Sequence, residues 1–367
     1  MNSPLTLNVR RDQGELGPEW DALFDAQPGL QTSRAWLQAS IEAALPAGTH
    51  PQLLAVSDEA GPLALVPMLA GPGRAAGSLS SPYTCLYQPL LRRGAEAQTI
   101  TLREVGRHCQ QWPVTRFEAL DPAWPGLGML RRSLASAGLV IRTFDHFGNW
   151  YEPITTRSWD IYLQGRPGSL RETIRRRTRA AERAGVRIDI AREGPALKNA
   201  LEAYEAVYDR SWKQPEPYPR FNAALVRTLA DTGVLRIGIL WRGTTPIAAQ
   251  YWSVTGGTAT ILKLAHDEHF KSLSPGTVLT AATIRRLIEA DGVAELDFGR
   301  GDDPYKRNWA SSRRSRIGLL ALNPRTMAGM REWVAHDIGA LLRGFRAGRR
   351  VRSSALSEAE PKPNLKD

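Results

Sequence analysis

Apolar positions recur along this chain with two periods, one helical and one alternating. LTLNVRR near the N-terminus reads as a strand. Pro18 with Trp20, Leu23 and Phe24 predicts a short helix, and Ser33 is placed to cap a second over 34–44. Residues 51–71 hold two apolar runs around Asp58-Glu59-Ala60-Gly61, the signature of a hairpin. Residues 72–95, rich in Gly, Ser and Pro, read as loop. Helix, strand, helix and strand are expected over 101–112, 115–120, 127–138 and 139–147. The pattern resets at 148–160, where a strand ends, a linker follows and TTRSWDIYL reads as a new strand. The second half then predicts a helix over 169–186, a strand in VRIDIAREG, helices over 195–212 and 221–233, and three strands over 234–243, 245–257 and 258–268. HFKSLSPG (269–276) is a loop before a helix over 277–292. A strand over 293–303 ends in a Gly/Asp-rich loop, and a last strand covers 315–324. Residues 325–350 predict a basic closing helix or helix pair, and 351–367 a charged, disordered tail. The order is α/β, and the first half follows a looser version of the second without an exact repeat.

At 367 residues, the chain has room for about two domains. Hydrophobic residues make up 42% and charged residues 23%, which excludes disordered, collagen-like and disulfide-scaffold classes. No apolar run approaches the ~20 residues of a membrane span. MNSPLTLNVRRDQ holds no apolar signal region, so a cytoplasmic protein with reduced Cys85 and Cys109 is expected. The net charge is +11, and Arg outnumbers Lys 41 to 7. Codon bias accounts for this as readily as a polyanionic partner such as CoA, RNA, an anionic glycan or a membrane surface. Arg176, Arg179 and Arg183 recur on one face of the 169–186 helix, either as a solvated face or as an anion contact.

The densest chemistry lies in ILKLAHDEHFKSLSPGTVL (261–279). A buried strand runs into a loop, and Pro275-Gly276 opens a helix. A helix start offers free N–H groups and positive dipole character to a pyrophosphate. Gly276 permits close approach, and Lys271, Ser274 and Thr277 add donors. The same residues also read as a plain helix start, with Ser274 as the cap. His266 and His269 beside Asp267 and Glu268 do not form a metal motif: no cysteine lies near and no HExxH helix exists, so no metal is expected. Gly-x-Ser-x-Gly is also missing.

Three blocks together, RSWKQPEPYPRFNAALVRTLADTGVLRIGILWRGTTPIAAQYW, LKLAHDEHFKSLSPGTVL and LDFGRGDDPYKRNW, resemble bacterial acyltransferases related to CelD, a protein linked to cellulose biosynthesis. That family sits in the FemAB-like, tandem-GNAT group. The resemblance is strongest over 158–325 and extends to the first half through Trp20, QTSRAWL (31–37) and the 51–71 hairpin. It implies two tandem GNAT-like domains, each a mixed, mainly antiparallel sheet flanked by helices. The first (1–150) would be degenerate and complete an acceptor cleft. The second (158–325) would hold acyl-CoA, with 326–350 closing the fold. It further implies direct acyl transfer, without an acyl-enzyme, to an amine or hydroxyl in exopolysaccharide or cell-envelope metabolism. By motif, Lys263, Leu264 and Ala265 would line the pantetheine arm. Lys271, Ser274, Pro275, Gly276 and Thr277 would form the pyrophosphate loop, although only Lys271 and Gly276 echo the usual Gln/Arg-x-x-Gly-x-Gly/Ala pattern.

Acyl transfer needs a proton acceptor and a proton donor for the leaving thiolate. Asp267 and Asp302, beside Asp303, are the candidate acceptors, and Tyr305 is the candidate donor. Lys306, Trp309, Trp212 and Gln250 would face the acceptor. The plainer alternatives are that Asp302-Asp303-Pro304 is a turn, Asp267 a loop cap and Trp309 core. Two other functions stay open: an aminoacyl-tRNA-dependent ligase of the FemAB type, and a non-catalytic module binding glycan or nucleic acid. Peripheral membrane contact also fits the charge.

Overall fold

The computed structural model describes residues 4–71, 75–229 and 232–339. The first half contains β1 (Thr6–Arg10), α1 (Asp21–Asp25), α2 (Arg34–Ala43), β2 (His50–Asp58), β3 (Gly61–Ala70), β4 (Ala75–Ser78), β5 (Leu90–Leu91), α3 (Ala95–Cys109), β6 (Val114–Leu120), α4 (Gly126–Ser136) and β7 (Val140–Pro153). The second contains α5 (Trp159–Gln164), α6 (Gly168–Arg183), β8 (Val186–Ala191), α7 (Gly194–Asp209), α8 (Phe221–Leu229), β9 (Leu235–Arg242), β10 (Thr245–Thr255), β11 (Thr258–His266), α9 (Pro275–Arg286), β12 (Glu295–Arg300), α10 (Lys306–Trp309) and β13 (Ser312–Leu322). Residues 327–339 are helical. The rest of the expected closing helix and the tail lie outside the described residues.

One sheet runs through both halves in the order β1-β2-β3-β4-β6-β13-β7-β12-β11-β10-β9-β8, with β5 on β3. Each half repeats one plan. Antiparallel strands lead to one parallel pair, β4 with β6 and β11 with β12, and an antiparallel strand closes the set. That closing strand is exchanged. β7, which follows β6, pairs with β12, whereas β13, which follows β12, pairs with β6. The two exchanged strands pair with each other over eleven residue pairs at the centre of the sheet.

The hydrophobic pattern explains these elements. Strands β2, β3, β9 and β10 bury nearly continuous runs because helices cover both faces. Ser33 accepts from the Trp36 N–H and so starts α2. Trp36 then packs edge-on against Phe221 of α8 at 5.4 Å, joining the two halves in one core. The sequence reading differs from the structure in two places. WDIYL is a helix, because Ser158 caps the Ile161 N–H and the i, i+3 pair Trp159 and Tyr162 is buried on one side. The expected loop at 72–95 contains β4 and β5, short strands that its Gly and Ser content concealed.

Candidate functional site

β11 and β12 pair only through Thr258–Thr260 against Glu295–Asp297. Beyond that point β12 stays with β7 and β11 stays with β10, so the strands part into a wedge. The cause is a bulge at Phe298-Gly299. The ladder to β7 jumps from Asp297↔Tyr151 to Arg300↔Asn149, and Gly299 takes φ 69°. Its N–H donates to Asp297 Oδ1 (2.7 Å) and its carbonyl accepts from Asn149 Nδ2 (2.9 Å). The edge of β11 from Ile261 onward is therefore left without a strand partner, which makes it a row of groups able to hydrogen-bond a ligand laid along it.

A cavity of about 380 Å³ fills the wedge. Its walls are Ile261–Leu264 of β11 and Phe298–Arg300 of β12. Trp212 and Lys213 enter from the loop before α8, and Asp303, Tyr305 and Lys306 from the loop after β12. The first half supplies Trp36, Pro82, Tyr83 and Cys85. The matching wedge in the first half is closed. β6 has its own bulge at Ala119 (φ 56°), but the Glu118 N–H donates to Ser78 Oγ (2.9 Å) and the Tyr87 N–H to the Ala119 carbonyl (2.8 Å), with the Tyr87 ring buried.

At the cavity wall Lys263 joins a cluster with two residues that sequence reasoning missed, Glu216 and Tyr83. Glu216 Oε1 accepts from Lys263 Nζ (2.5 Å) and Oε2 accepts from the Tyr83 hydroxyl (2.8 Å), while Lys263 lies 4.4 Å over the Tyr83 ring. Burial opposes the Glu216 carboxylate, but hydrogen bonds from Lys263 and Tyr83 outweigh it and hold its pKa below the ordinary value. Burial raises the pKa of the Tyr83 phenol, and it raises that of the Tyr305 phenol, keeping both protonated. The Pro-flanked acid in QPEPYP was the only sequence signal for Glu216. Tyr83 lay in a segment read as loop and gave none.

The lysines of this cavity differ in one respect. Lys263 has Glu216. Lys306 Nζ is enclosed by the carbonyls of Arg300 (2.6 Å) and Gly301 (3.3 Å) and by Asp303 (3.2 Å). The Lys213 ammonium has neither hydrogen bond nor ion pair among the described residues and lies 5.8 Å over the Trp212 ring, and burial lowers its pKa. Between that lowered value and the ordinary lysine value the unfolded chain binds more protons, so the Lys213 contribution to stability rises with pH over this window. Lys213→Met is expected to leave the melting temperature at neutral pH unchanged or raised and to remove that pH-dependent increment. Thermal melts across the alkaline range check both, and a lowered melting temperature at neutral pH would show that the ammonium is instead a structural contact.

The structure brings together only part of the set expected from sequence. Lys263, Leu264, Trp212, Tyr305 and Lys306 line the wedge cavity. Ala265 shares the face of Lys263 on β11 but lies beyond the cavity, fully buried in the core with α7 and α8. Gln250 is fully buried and donates to Thr283 Oγ1 (2.8 Å). Trp309 is core, and its carbonyl accepts from the Tyr162 hydroxyl (2.7 Å) and Arg166 (2.9 Å). Asp267 is buried away from the cavity. It accepts from Arg210 (2.7 Å) and from the His269 backbone N–H (3.0 Å), contacts the His269 ring, and caps the turn after β11, which is the plainer of its two readings. Asp302 is half exposed outside the cavity. Arg313 holds it bidentately (2.7 and 2.7 Å), with Trp150 Nε1 at 3.1 Å, and these contacts keep it ionised.

The expected pyrophosphate loop starts α9. Ser274 has φ 50° and makes no side-chain cap, and Pro275 is the first helical residue. A Cβ at Gly276 would meet only the His266 ring at 3.5 Å and Leu264 at 4.0 Å. Arg177 of α6 donates to the Ser272 carbonyl and braces this loop. Lys271 is exposed, with Glu268 at 3.4 Å, and Thr277 is half-buried. Trp212 packs at a tilt against His266, ring centroids 4.2 Å apart, linking the cavity wall to the start of α9.

Residues 168–307 match the family model described as an acetyltransferase (GNAT) domain, and this match supports acyl transfer as the chemistry of the second half. Among curated proteins, none matches the sequence. Among solved structures, FemX is 12% identical with a TM-score of 0.58, over 87% of this chain and 98% of that one. The C-terminal domain (DUF2156) of a protein described as a lysylphosphatidylglycerol synthetase from Agrobacterium fabrum is 13% identical with a TM-score of 0.55, over 87% and 95%. A conserved protein of unknown function from Bacteroides thetaiotaomicron is 10% identical with a TM-score of 0.53, over 86% and 100%. With the repeated strand plan, these likenesses give the chain a GNAT/FemAB-like fold with two GNAT-like halves. They do not reach the narrower CelD-like grouping. No helix of the described residues is long and apolar enough to cross a membrane.

Proposed function

We propose that this protein transfers an acyl group from acyl-CoA directly to an amine or hydroxyl, in the wedge between β11 and β12. The observation that carries the reading is the unpartnered edge of β11 opening into a cavity beside the start of α9. A pantetheine arm laid along Ile261–Leu264 would hydrogen-bond that edge, and the N–H groups around Gly276 and Thr277 would take the pyrophosphate. Ile261 to His266 spans roughly 17 Å at about 3.3 Å per residue, enough for an extended arm. The acceptor enters the part of the cavity built by the first half. Lys213, the unpaired ammonium, would hold a carboxylate or phosphate of that acceptor. Asp303 lies at the cavity to take the acceptor's proton, and the Tyr305 hydroxyl donates to the departing thiolate. Nitrogen or oxygen attacks the thioester carbonyl, the carbon–sulfur bond breaks, and CoA leaves as the thiol.

Calorimetric titration with acetyl-CoA and with tRNA tests this reading. We expect micromolar acetyl-CoA binding, at least tenfold weaker in Gly276→Glu. That substitution sets a carboxylate against the phosphates, while its Cβ has room in the fold. Salt-sensitive tRNA binding without acetyl-CoA binding would move the protein to the FemAB-type alternative. Binding of neither would leave a non-catalytic module.

A further inference from the structure

α6 carries six arginines against two glutamates, four positive charges in excess. Leu170, Ile174 and Ala181 are buried and turn one face of the helix to the protein. Arg176, Arg179 and Arg183 fall on the opposite face. All three are exposed, and none makes a hydrogen bond, ion pair or ring contact among the described residues. Glu172 shares their face, but Arg175 holds it with hydrogen bonds of 3.0, 2.9 and 2.8 Å. The three arginines are therefore uncompensated. Such a face repels itself and draws an anionic partner.

The place of the helix indicates the partner. α6 packs on the turn Glu268–Leu273 that leads into α9. Arg177, next to Arg176 in the chain, donates to the Ser272 carbonyl of that turn, and its Nε is buried with no hydrogen-bond partner among the described residues. With the pyrophosphate end of a pantetheine arm at the start of α9, whatever the arm is attached to rests outside this turn, beside α6. Two kinds of molecule present a phosphate-linked pantetheine thioester: CoA, which ends in a nucleotide, and a carrier protein, whose arm is fixed to a serine on an acidic surface. We propose, on the basis of the acyl-transfer reading, that the outer face of α6 docks an acidic carrier protein, so that the acyl group arrives on a protein-borne phosphopantetheine as well as on CoA. Arg176 to Arg183 spans about 10 Å at 1.5 Å per residue, a length that suits several carboxylates of a protein surface better than one nucleotide phosphate. α6 has no aromatic side chain on which a base could stack, which disfavours single-stranded RNA. The transfer step is the same from either donor. The acceptor nitrogen or oxygen attacks the thioester carbonyl and its proton passes to Asp303. The carbon–sulfur bond breaks, Tyr305 protonates the thiolate, and the carrier leaves with its arm as the free thiol.

Calorimetric titration of the full chain with two donors tests the proposal: acetyl-CoA, and a bacterial acyl carrier protein bearing acetyl-phosphopantetheine. The loaded carrier should bind in the micromolar range, and the apo-carrier, which lacks the arm, at least about tenfold more weakly. The double variant Arg176→Glu, Arg179→Glu, at exposed positions and checked for an unchanged melting temperature, should weaken the loaded carrier at least about tenfold and leave the acetyl-CoA affinity within about threefold. Acetyl-CoA binding without carrier binding would overturn the carrier proposal and leave the acyl-CoA reading standing, whereas binding of neither donor would remove both. Equal loss of both donors in the double variant would assign these arginines to the nucleotide of CoA, and undiminished carrier binding would move the docking off α6; either result overturns the proposal. So would tRNA binding that the double variant loses, with no carrier binding, which would make α6 a nucleic-acid contact.

Discussion

Gly299→Val is expected to abolish measurable acetyl-CoA binding, a loss of at least a hundredfold, while the protein stays folded. Gly299 sits in the left-handed region, and a Cβ there would lie 3.3 Å from the Ile261 carbonyl and 3.8 Å from Cys85 Sγ. Ile261 is on the facing strand β11, and Cys85 is on the cavity wall supplied by the first half. The methyls of valine would occupy the space into which the proposed pantetheine arm must pass, and they have nowhere else to go. The left-handed φ adds roughly 1–3 kcal/mol of strain for a β-branched residue, so the melting temperature should fall by several degrees without loss of the fold. Gly299→Ala separates the two effects, because it carries most of the strain and much less of the bulk. Calorimetry with acetyl-CoA on all three proteins reads the result. Unchanged affinity in Gly299→Val would show that ligand does not use this wedge.

The difference in how the two halves read from sequence follows from where their signals lie. The second half is dense with local signals. Strand runs, helix stops at Gly, and Pro275-Gly276 before an apolar helix are each decided within a few residues, and the structure follows them closely except at WDIYL, which is α5. DFGRG also carried more than a turn, since its first glycine makes the bulge that opens the wedge. The first half was harder to read, because β4 has only four residues and its place is fixed by pairing with β3 and β6 rather than by its own composition. The exchange of β7 and β13 was not legible at all. Each has the pattern of a buried strand, which says nothing about its neighbour. The candidate site divides in the same way. Lys263, Tyr305 and Lys306 belong to blocks with a recognisable chemistry. Glu216 and Tyr83, 133 positions apart, meet only because the two halves share a core. Gln250, Asp267 and Trp309 have site-like residue types, but burial with satisfied partners gives them structural work.

The exchanged strands are also held by a buried ion pair. Glu152 on β7 is buried, and Arg166 donates to it and also to the Trp309 carbonyl (2.9 Å). The other Glu152 oxygen accepts from the Ser311 N–H (2.6 Å) and the Ser311 hydroxyl (2.7 Å), just before β13. One carboxylate therefore ties together β7, the segment after α5 and the entry to β13, at the point where the chain crosses between halves. Glu152→Gln keeps the shape but removes the charge, and its amide NH₂ must face either the Arg166 guanidinium or the Ser311 N–H, a donor against a donor. Removing one partner of a buried ion pair costs about 3–5 kcal/mol, because the other charge stays buried. At about 2–4 °C per kcal/mol for large domains, the melting temperature should drop by roughly 6–20 °C. The unfolding transition should remain single in the calorimeter, since neither half has a complete sheet without the other's strand. Splitting into two transitions would mean that the halves fold independently, and a shift under about 2 °C would mean that water replaces the lost carboxylate.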